Sequence, residues 1–354
     1  MTQREMEQGD AKLGYFRSNL TRLYWALVAA LGLSILIALG QGRYEIDFYS
    51  VSLILLENMA TVSESWKPVD ERIVELIRLP RIIVAGIAGA GLAVAGAALQ
   101  GIFKNPLVGP QIIGVSSGAA FGGAFAILVS ESQVLLVSLA FVFGLLAIAL
   151  VYIVSRQHGR ASILMLVLSG IVISAFFSAL VSLTKFVADP DDKLPAIVFW
   201  LMGSFASASY EKVLLIGLPV VFGIGVIYLL RFQLNVLSLG DEQAQSLGLE
   251  VEKIRWIVLA AIALVSAAVV AAAGVIGWVG LVIPHFSRML CGPDHKVLIP
   301  VSALVGAIYL IHVDTVARTI SPAEIPVGII TALIGAPIFA YLLRKASDKG
   351  WSAE

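Results

Sequence analysis

The chain is poor in charge and contains almost no cysteine. Of its 354 residues, 14% are Asp, Glu, Lys or Arg, 59% are hydrophobic, and a single cysteine is present. A water-soluble domain with so few charges could not cover that much apolar surface, and one cysteine excludes an internal disulfide. Acidic and basic residues balance at 24 each, and no basic run indicates nucleic-acid binding. The composition therefore indicates a protein that spans a membrane several times and has no nucleic-acid partner.

Residues that bind nucleotides or couple ion gradients are scarce as well. The dipeptide Gly-Lys occurs nowhere, which excludes a Walker A phosphate loop. Only Asp314 and Glu324 among the acids approach an apolar segment, whereas carriers driven by protons or sodium usually place carboxylates at mid-membrane. His285 has no second metal ligand nearby in sequence, so we interpret it as structural. We expect no catalytic residue, no bound metal and no cofactor in this chain; if ATP powers it, a partner binds the ATP.

Hydropathy and helix breakers divide the chain into ten apolar segments. They lie near residues 23–40, 82–103, 111–129, 134–154, 163–187, 212–230, 256–273, 275–290, 299–313 and 326–343. These segments predict an all-α polytopic membrane protein of about ten transmembrane helices, in one domain over residues 1–354. There is no small-residue cleavage site before residue 40, so we expect a retained first helix rather than a signal peptide. The segments within 82–187 and 256–343 start from opposite sides, which predicts an inverted repeat.

The distribution of basic residues predicts the orientation of the chain. Ten spans place both termini on one side, and 15 of the 24 Lys and Arg lie on that side. Because basic residues concentrate in the cytoplasm, we expect cytoplasmic termini, with residues 1–22 inside and residues 41–81 outside. Within the outer regions, residues 48–56 predict a surface helix and residues 188–211 an interfacial segment. A short amphipathic piece is expected at residues 314–326.

The second apolar segment is unusually rich in small residues. Of the 14 residues 85–98, 11 are Gly or Ala. As a helix, residues 82–103 would be about 33 Å long, which is enough to cross a bilayer core. A helix with so few bulky side chains packs closely against other helices. Arg78-Leu-Pro-Arg81 precedes it and Asn105-Pro-Leu107 follows it, so the segment predicts a core or gate-lining helix between an outer docking surface and an inner turn.

Two polar patterns each allow two interpretations. Residues 239–249 form a short polar stretch bracketed by Gly240 and Gly248, which is either a helix that seats in a soluble partner or a solvated loop. Asp314 and Arg318 share a helix face because they are four residues apart. They form either a local ion pair or an outward arginine for an acidic partner.

The fifth segment carries a third pattern, a stripe of serines. The stripe consists of Ser169, Ser174, Ser178 and Ser182. Serines in membrane helices either line a path or bond back to their own backbone, and the sequence leaves both open.

These features together resemble the FecCD-type permeases of ABC importers, the family that imports cobalamin, ferric siderophores and haem. The motifs that carry the resemblance are Arg78-Leu-Pro-Arg81, Gly101-Ile-Phe-Lys-Asn-Pro-Leu107, Ile113-Gly-Val-Ser-Ser-Gly118, Trp200-Leu-Met-Gly203, Leu239-Gly with Leu247-Gly248, Gly280-Leu-Val-Ile-Pro-His285 and Glu324-Ile-Pro-Val-Gly328. They occur in order from about residue 20 to residue 345, so the resemblance is specific for the family but not for the substrate.

The resemblance implies the type II ABC importer permease fold and a set of partners. It implies a homodimer in the lipid of the bacterial inner membrane, with the substrate path on the dimer axis. Two cytoplasmic ATPase subunits, which hold ATP and Mg, dock at the coupling segment (residues 238–252), and a periplasmic binding protein caps the outer face. The implied ATPase contacts are Leu239, Gly240, Asp241, Glu242, Ala244, Leu247 and Gly248. The implied binding-protein contacts are Arg78, Arg81 and Arg318, whose forked donors suit carboxylates.

The resemblance also places the inner gate. It corresponds to Asn105, Pro106 and Leu107 together with the start of the fifth segment at Ile163 and Leu164, and the gate and path set also includes Ser169, Ser174 and Ser178. Because residues 162–164 are more apolar than the small hydroxylated gate of cobalamin importers, cobalamin is less favoured. We therefore predict the permease of a metal-chelate importer, with ferric siderophore as cargo and haem or cobalamin as alternatives. A self-sufficient secondary carrier is the alternative from another class.

Overall fold

Every regular element in the described part of the chain is a helix. The computed structural model describes residues 3–57, 66–156 and 162–350, with side chains from residue 20 to 341 and at 344. The α-helices are α1 (Gln3–Gly40), α2 (Phe48–Glu57), α3 (Pro68–Arg72), α4 (Leu79–Phe103), α5 (Val115–Val129), α6 (Gln133–Ser155), α7 (Ile163–Val187), α8 (Lys193–Leu201), α9 (Tyr210–Leu229), α10 (Arg231–Leu239), α11 (Asp241–Ser246), α12 (Val251–Ala273), α13 (Val279–Cys291), α14 (His295–Thr319) and α15 (Val327–Gly350). A π-helix, Ile73–Arg78, and a 3₁₀ helix, Pro110–Ile113, join neighbouring elements.

Each predicted apolar segment corresponds to one helix. Seven stretches are long and apolar enough to cross a membrane: Leu20–Gly40 of α1, Pro68–Phe103, α6, α7, α9, α12 and α14. The shorter apolar helices α5, α13 and α15 account for the other three segments. The expectation of an all-helical polytopic membrane protein is thus confirmed, while the inverted repeat and the single domain stay predictions.

Two predicted boundaries are wrong. The second apolar segment was expected to begin at residue 82, but α3, the π-helix and α4 form one continuous helix, Pro68–Phe103. The outer position of residues 41–81 stays a prediction. The π-helix precedes Pro80, whose ring and missing N–H do not fit a regular α-turn. Asp314 lies inside α14 rather than at the start of a separate amphipathic piece. The expected helices near 48–56 and 188–211 are present as α2 and α8.

Helix α4 lies at the centre of the bundle, against α9, α12, α13 and α14. Its small residues allow backbones to meet, because a Cβ added at Gly89 would collide with the carbonyl oxygen of Gly306. A Cβ at Gly96 would likewise collide with the carbonyl oxygen of Gly280. The close packing that the Gly and Ala content predicted is confirmed, and α4 holds both ends of the molecule in fixed relation.

Candidate transport path and coupling surfaces

A buried ion-pair cluster lies where α4 begins. Arg81 donates to both oxygens of Asp314, with Nη2–Oδ1 and Nε–Oδ2 distances of 2.9 Å. Its Nη1 also lies 3.1 Å from Oε2 of Glu324. The side chains of Arg81 and Asp314 are 9% and 2% exposed. This geometry satisfies the rule that buried charges must be paired and hydrogen-bonded.

The neighbouring arginines bind backbone rather than a partner. Arg78 donates to the carbonyl oxygens of Leu39, Gly40 and Tyr44. These carbonyls belong to the end of α1 and the turn after it, where helix geometry leaves acceptors without intrahelical donors.

Arg318 closes the same end of α1 from the other side. It donates to the carbonyl oxygens of Ala38 and Gln41, the latter at 2.6 Å. Its Nε lies 3.9 Å from Asp314, so the i,i+4 pair is much looser than the Arg81 pair.

These arginines are therefore not the exposed side chains that a direct contact with a binding protein requires, and their docking role stays a prediction. Arg78, Arg81 and Arg318 are 4%, 7% and 6% exposed. The physical reason is that the end of α1 and the acids of α14 and the turn after it supply their hydrogen-bond partners, which leaves no donor fork free at the surface. Whether a binding protein docks on this face is untested, and Arg43, with a side chain 55% exposed, is the accessible arginine beside the cluster.

The coupling segment forms a helix, as one of its two interpretations predicted. Gly240 (φ +131°) separates α10 from α11, and Gly248 (φ +82°) follows α11. Both angles favour glycine because side chains strain them. Asp241 anchors α11 through Arg255, whose Nη2 lies 2.8 Å from both carboxylate oxygens. Ala244 is fully buried and fixes the inner face of the short helix.

The opposite face of the coupling segment exposes apolar side chains. Leu239 and Leu247 are 62% and 66% exposed, and Glu242 is exposed between them. Leu239 ends α10 and Leu247 follows α11, and exposed leucines on both sides of a short helix are typical of a surface that a partner covers.

The predicted gate turn directly follows α4. Lys104 ends the helix in the left-handed conformation (φ +49°). The Asn105 side chain then accepts a hydrogen bond from the Leu107 N–H at 2.9 Å, a local turn that asparagine favours. Asn105 and Pro106 are exposed, and Leu107 is half-buried at a cavity of about 150 Å³. The predicted tight turn is confirmed, whereas its gating role is untested.

The gate turn lies beside the coupling segment. A Cβ added at Gly240 would lie 3.5 Å from Nζ of Lys104. A displacement of α11 would therefore reach the end of α4 without an intervening element. Ile163 and Leu164, the other predicted gate residues, lie in the first turn of α7, where Ile163 is half-buried and Leu164 is 66% exposed.

The serine stripe of α7 divides into two environments. Ser169 is 2% exposed, and its hydroxyl and that of Ser174 are buried without a hydrogen-bond partner among the described residues. Ser178 and Ser182 instead face a cavity of about 460 Å³, although Ser182 also bonds back to the Ser178 carbonyl at 3.0 Å. Ser178 and Ser182 therefore line a cavity and Ser169 does not, whereas the role of the stripe in transport stays a prediction.

The described residues that line this cavity offer hydroxyl, amide and ammonium groups and no carboxylate. Its polar lining residues are Gln111, Ser116, Ser117, Ser178, Ser182 and Lys185. They come from the 3₁₀ helix, α5 and α7. Such a wall offers hydrogen-bond donors and one positive charge, which suits an anionic solute.

The comparison with known proteins places this architecture in a family. A model of the FecCD transport family matches residues 30–345. The chain belongs to the FecCD transport family. Its members are permeases of ABC importers for metal chelates, so the protein is a multi-span membrane permease, as the motifs predicted.

The names of individual FecCD relatives state different cargoes. The chain is 45% identical to the molybdate import permease MolB of Haemophilus influenzae, over 93% of this chain and 97% of that protein. It is 37% identical to the hemin transport permease HmuU of Yersinia pestis, over 90% and 95% of the two chains. A solved ABC transporter structure, described as metal-chelate type and inward-facing, is 44% identical and superposes with a TM-score of 0.83 over 92% of this chain and 99% of that one.

Sequence reasoning missed part of this cavity wall in the FecCD chain. Ser116 and Ser117 were quoted within a family motif but were not assigned to the lining, and Gln111 and Lys185 were not considered. Two sequence features could have indicated this lining. One is the pair of adjacent serines at the start of α5, and the other is the lysine at the end of the apolar helix α7. The sequence could not show that α5 and α7 bring these groups together.

Proposed function

We propose that this chain is the membrane-spanning permease subunit of an ATP-driven, binding-protein-dependent importer whose cargo is a metal-bearing anion. The observation that carries the cargo class is the cavity between α5 and α7. Serine hydroxyls, the Gln111 amide and the Lys185 ammonium line it, and no described acid does. An anion gains charge-assisted hydrogen bonds on such a wall, whereas a cation would lose its hydration without compensation.

A second copy of the chain would complete the path. The cavity is open on one side of a single chain, and exposing Lys185 and serines to lipid would be costly. The same helix exposes Ile171, Val172 and Phe176, each more than half exposed. A homodimer that pairs these α7 faces would cover the apolar side chains and enclose the polar wall at once.

The energy would come from partner subunits in the cytoplasm. Two ATPases, holding ATP and Mg, would dock on the exposed leucines of the coupling segment and move α11. Because α11 lies beside Lys104, that movement would change the turn Asn105–Leu107 and the inner end of α4. The buried Arg78, Arg81 and Arg318 would organise the outer surface on which a periplasmic binding protein docks. In this arrangement both termini of the chain are cytoplasmic, and the membrane is the bacterial inner membrane.

The specific cargo has two candidates. Ferric siderophore, predicted from the family resemblance, is anionic in many chelates and fits the hydroxyl and ammonium wall. Molybdate is favoured by the 45% identity to a molybdate permease across nearly all of both chains. Both are metal-bearing anions, so the geometry of the wall supports the class that contains them.

Uptake into proteoliposomes tests the proposal. The permease and its ATPases are reconstituted with the binding protein, and uptake of radiolabelled iron chelate and molybdate is compared with and without ATP. We expect ATP-dependent uptake of one anion, reduced by Lys185→Gln. Gradient-driven uptake by the permease alone would instead support the secondary carrier.

A further inference from the structure

A second polar cavity lies apart from the path, at the end of the bundle where α6 and α9 begin. Its volume is about 410 Å³. The turn between α5 and α6, helix α8, the segment 204–207 and the end of α12 surround it. Trp200 and Phe199 contribute apolar walls, and Lys212 at the start of α9 contributes a charge. No residue proposed for cargo, ATPase or binding-protein contact lines this cavity.

Lys212 provides a positive charge without a counter-ion. Its Nζ donates to the Ser207 hydroxyl at 2.7 Å. No carboxylate oxygen among the described residues lies within the 4.0 Å range of an ion pair with it. A half-buried ammonium that has one neutral partner retains donors for an anionic oxygen.

Three further serine hydroxyls face the same cavity, and their hydrogens have no acceptor among the described residues. The oxygens of Ser130, Ser132 and Ser204 accept backbone N–H bonds from Ser132, Leu135 and Ala206, at 3.1, 3.3 and 3.1 Å. Because a hydroxyl that accepts can still donate its own hydrogen, these groups present three O–H donors. Together with Lys212 they form a donor set that suits a phosphate.

The rim of the cavity has more negative than positive charge. Lys193 Nζ lies 3.4 Å from Oε1 of Glu131 and 3.6 Å from Oδ2 of Asp192. One ammonium is thus shared by two carboxylates, whose side chains are 89% and 75% exposed. The rim therefore has one uncompensated negative charge, and the interior has one uncompensated positive charge.

We propose that this cavity binds the zwitterionic headgroup of an ethanolamine phosphate ester, with the phosphate at Lys212 and the serine hydroxyls and the ammonium at Glu131 and Asp192. Such a ligand compensates both charges at once, whereas a simple anion would leave the rim unbalanced. A choline headgroup carries no N–H to donate to the carboxylates, so the site distinguishes ethanolamine from choline.

The surroundings favour a membrane phospholipid as the source of the headgroup. Lys212 lies in the first turn of α9, and the next turns expose Leu214, Leu215 and Leu218 by 66%, 50% and 72%. When a headgroup binds at Lys212, the acyl chains of the same lipid can pack against this exposed apolar face of α9. Phosphatidylethanolamine bound here would fill the end of the bundle between α6, α8 and α9.

Native mass spectrometry of the detergent-purified full chain tests the proposal. Phosphatidylethanolamine, phosphatidylcholine and phosphatidylglycerol are titrated separately, and bound lipid is counted. We expect the wild type to retain phosphatidylethanolamine best. Lys212→Gln should weaken that binding about tenfold or more, the loss expected for a charge-assisted hydrogen bond. Glu131→Gln combined with Asp192→Asn should remove the preference over phosphatidylcholine.

The controls separate a specific site from misfolding and from general lipid adhesion. Lys212→Arg keeps the charge and should keep binding, and Lys67→Gln removes an exposed lysine elsewhere and should change nothing. If Lys212→Gln does not purify as a monodisperse protein, Ser130→Ala with Ser204→Ala removes two donors instead and should weaken binding. Unchanged binding in the variants, or an equal loss in Lys67→Gln, would overturn the proposal.

A competition arm identifies the source. If soluble phosphoethanolamine displaces the lipid at millimolar concentration, the headgroup alone suffices and a soluble ester is also a ligand. If it does not displace the lipid while Lys212→Gln releases it, the acyl chains contribute and the bilayer is the source. Displacement by inorganic phosphate with equal potency would contradict the role given to the rim carboxylates.

Discussion

At the residue scale, charges in this permease act mainly on its own backbone and on each other. Arg81 donates two hydrogen bonds to the Asp314 carboxylate. Arg78 and Arg318 donate hydrogen bonds to backbone carbonyls at the end of α1 and just after it. Removing one partner of a buried pair leaves the other charge without compensation, which costs more than the pair itself contributes. These side chains therefore matter first for folding.

The Arg81–Asp314 pair gives a prediction about stability. Asp314→Asn should lower the free energy of unfolding by about 3 kcal/mol, because it leaves Arg81 with Glu324 alone in a buried site. Arg43→Gln, in the solvent-exposed pair with Glu324 at 3.8 Å, should change it by less than about 1 kcal/mol. Thermal unfolding in detergent measures both, and equal effects of the two variants would contradict the structural role.

Asp294 gives a prediction about pH. It caps α14 by accepting from the Lys296 N–H at 2.9 Å and also accepts from Asn235 at 2.6 Å. Burial works to raise its pKa, but the hydrogen bonds from Lys296 and Asn235 and the nearby positive charge prevail and leave the pKa of Asp294 below its ordinary value. The stabilisation is therefore present above the ordinary aspartate pKa, about 3.9, and is lost as the pH falls through the lower folded value.

Asp294→Ala should accordingly destabilise the protein by about 1 kcal/mol at neutral pH, the usual effect of losing a helix cap. The difference between wild type and variant should shrink as the solution is acidified. Unfolding temperatures measured between pH 7 and about pH 3 test this. A difference that grows on acidification would show that the charged carboxylate is not what stabilises the cap.

At the element scale, α4 depends on the absence of side-chain volume. Its glycines meet the carbonyl oxygens of α13 and α14, and backbone atoms cannot move aside as a flexible side chain would. The same helix joins the buried arginine cluster at one end to the gate turn at the other. Because α4 packs closely along its length, we expect a displacement of one end to move the other end.

A single methyl group on α4 should show this dependence. Gly96→Ala should destabilise the protein by about 3 kcal/mol, since overpacking forces backbone shifts. Gly225→Ala in α9 is the matched control, because nothing lies within 4 Å of the added Cβ, and it should be neutral or stabilising by up to about 1 kcal/mol. Similar unfolding temperatures for the two variants would contradict the packing of α4 against α13.

Substitutions on the exposed face of the coupling segment should weaken partner binding without unfolding the permease. Leu239→Asp with Leu247→Asp places charge on the exposed face, so the permease should remain monodisperse while ATPase co-purification and ATP-dependent uptake fall at least tenfold. Leu247→Met conserves apolar volume and is the matched control. Normal ATPase assembly in the double variant would exclude this face as the docking surface.

At the scale of the whole molecule, a polar cavity stays open on one side of a single chain. The hydroxyl and ammonium wall between α5 and α7 is open, and apolar side chains flank it on α7. Exposing such a wall to lipid would be costly. The second copy of the chain that we propose would cover both the polar and the apolar faces.

Cysteine cross-linking tests that arrangement, and the chain is suited to it. Cys291 is the single cysteine and is buried, so Cys291→Ser gives a cysteine-free background. Ser178→Cys in that background should form covalent dimers in native membranes with a short bifunctional reagent. Leu218→Cys, 72% exposed on α9, should not. Cross-linking at Leu218 but not at Ser178 would move the dimer interface away from α7.

The sequence by itself determined which segments are helices, although not where each helix begins and ends. Apolar length sets a membrane-spanning helix because every backbone group must be satisfied within it. The Asn105 turn and the close packing of α4 also followed from local chemistry, and for the stretch after Gly240 a helix was one of two interpretations. These features depend on neighbours in sequence, which is why composition and spacing predicted them.

The tertiary structure alone decided where the polar groups lie. Arg78 and Arg318 were expected as contacts for a binding protein, and the structure buries them against carbonyls at the end of α1 that are more than 30 residues away in sequence. Whether Ser169 is buried and Ser178 lines a cavity depends on which face of α7 meets α5. Hydropathy reports that a residue is within a helix, whereas burial and pairing depend on distant elements that only the folded chain brings together.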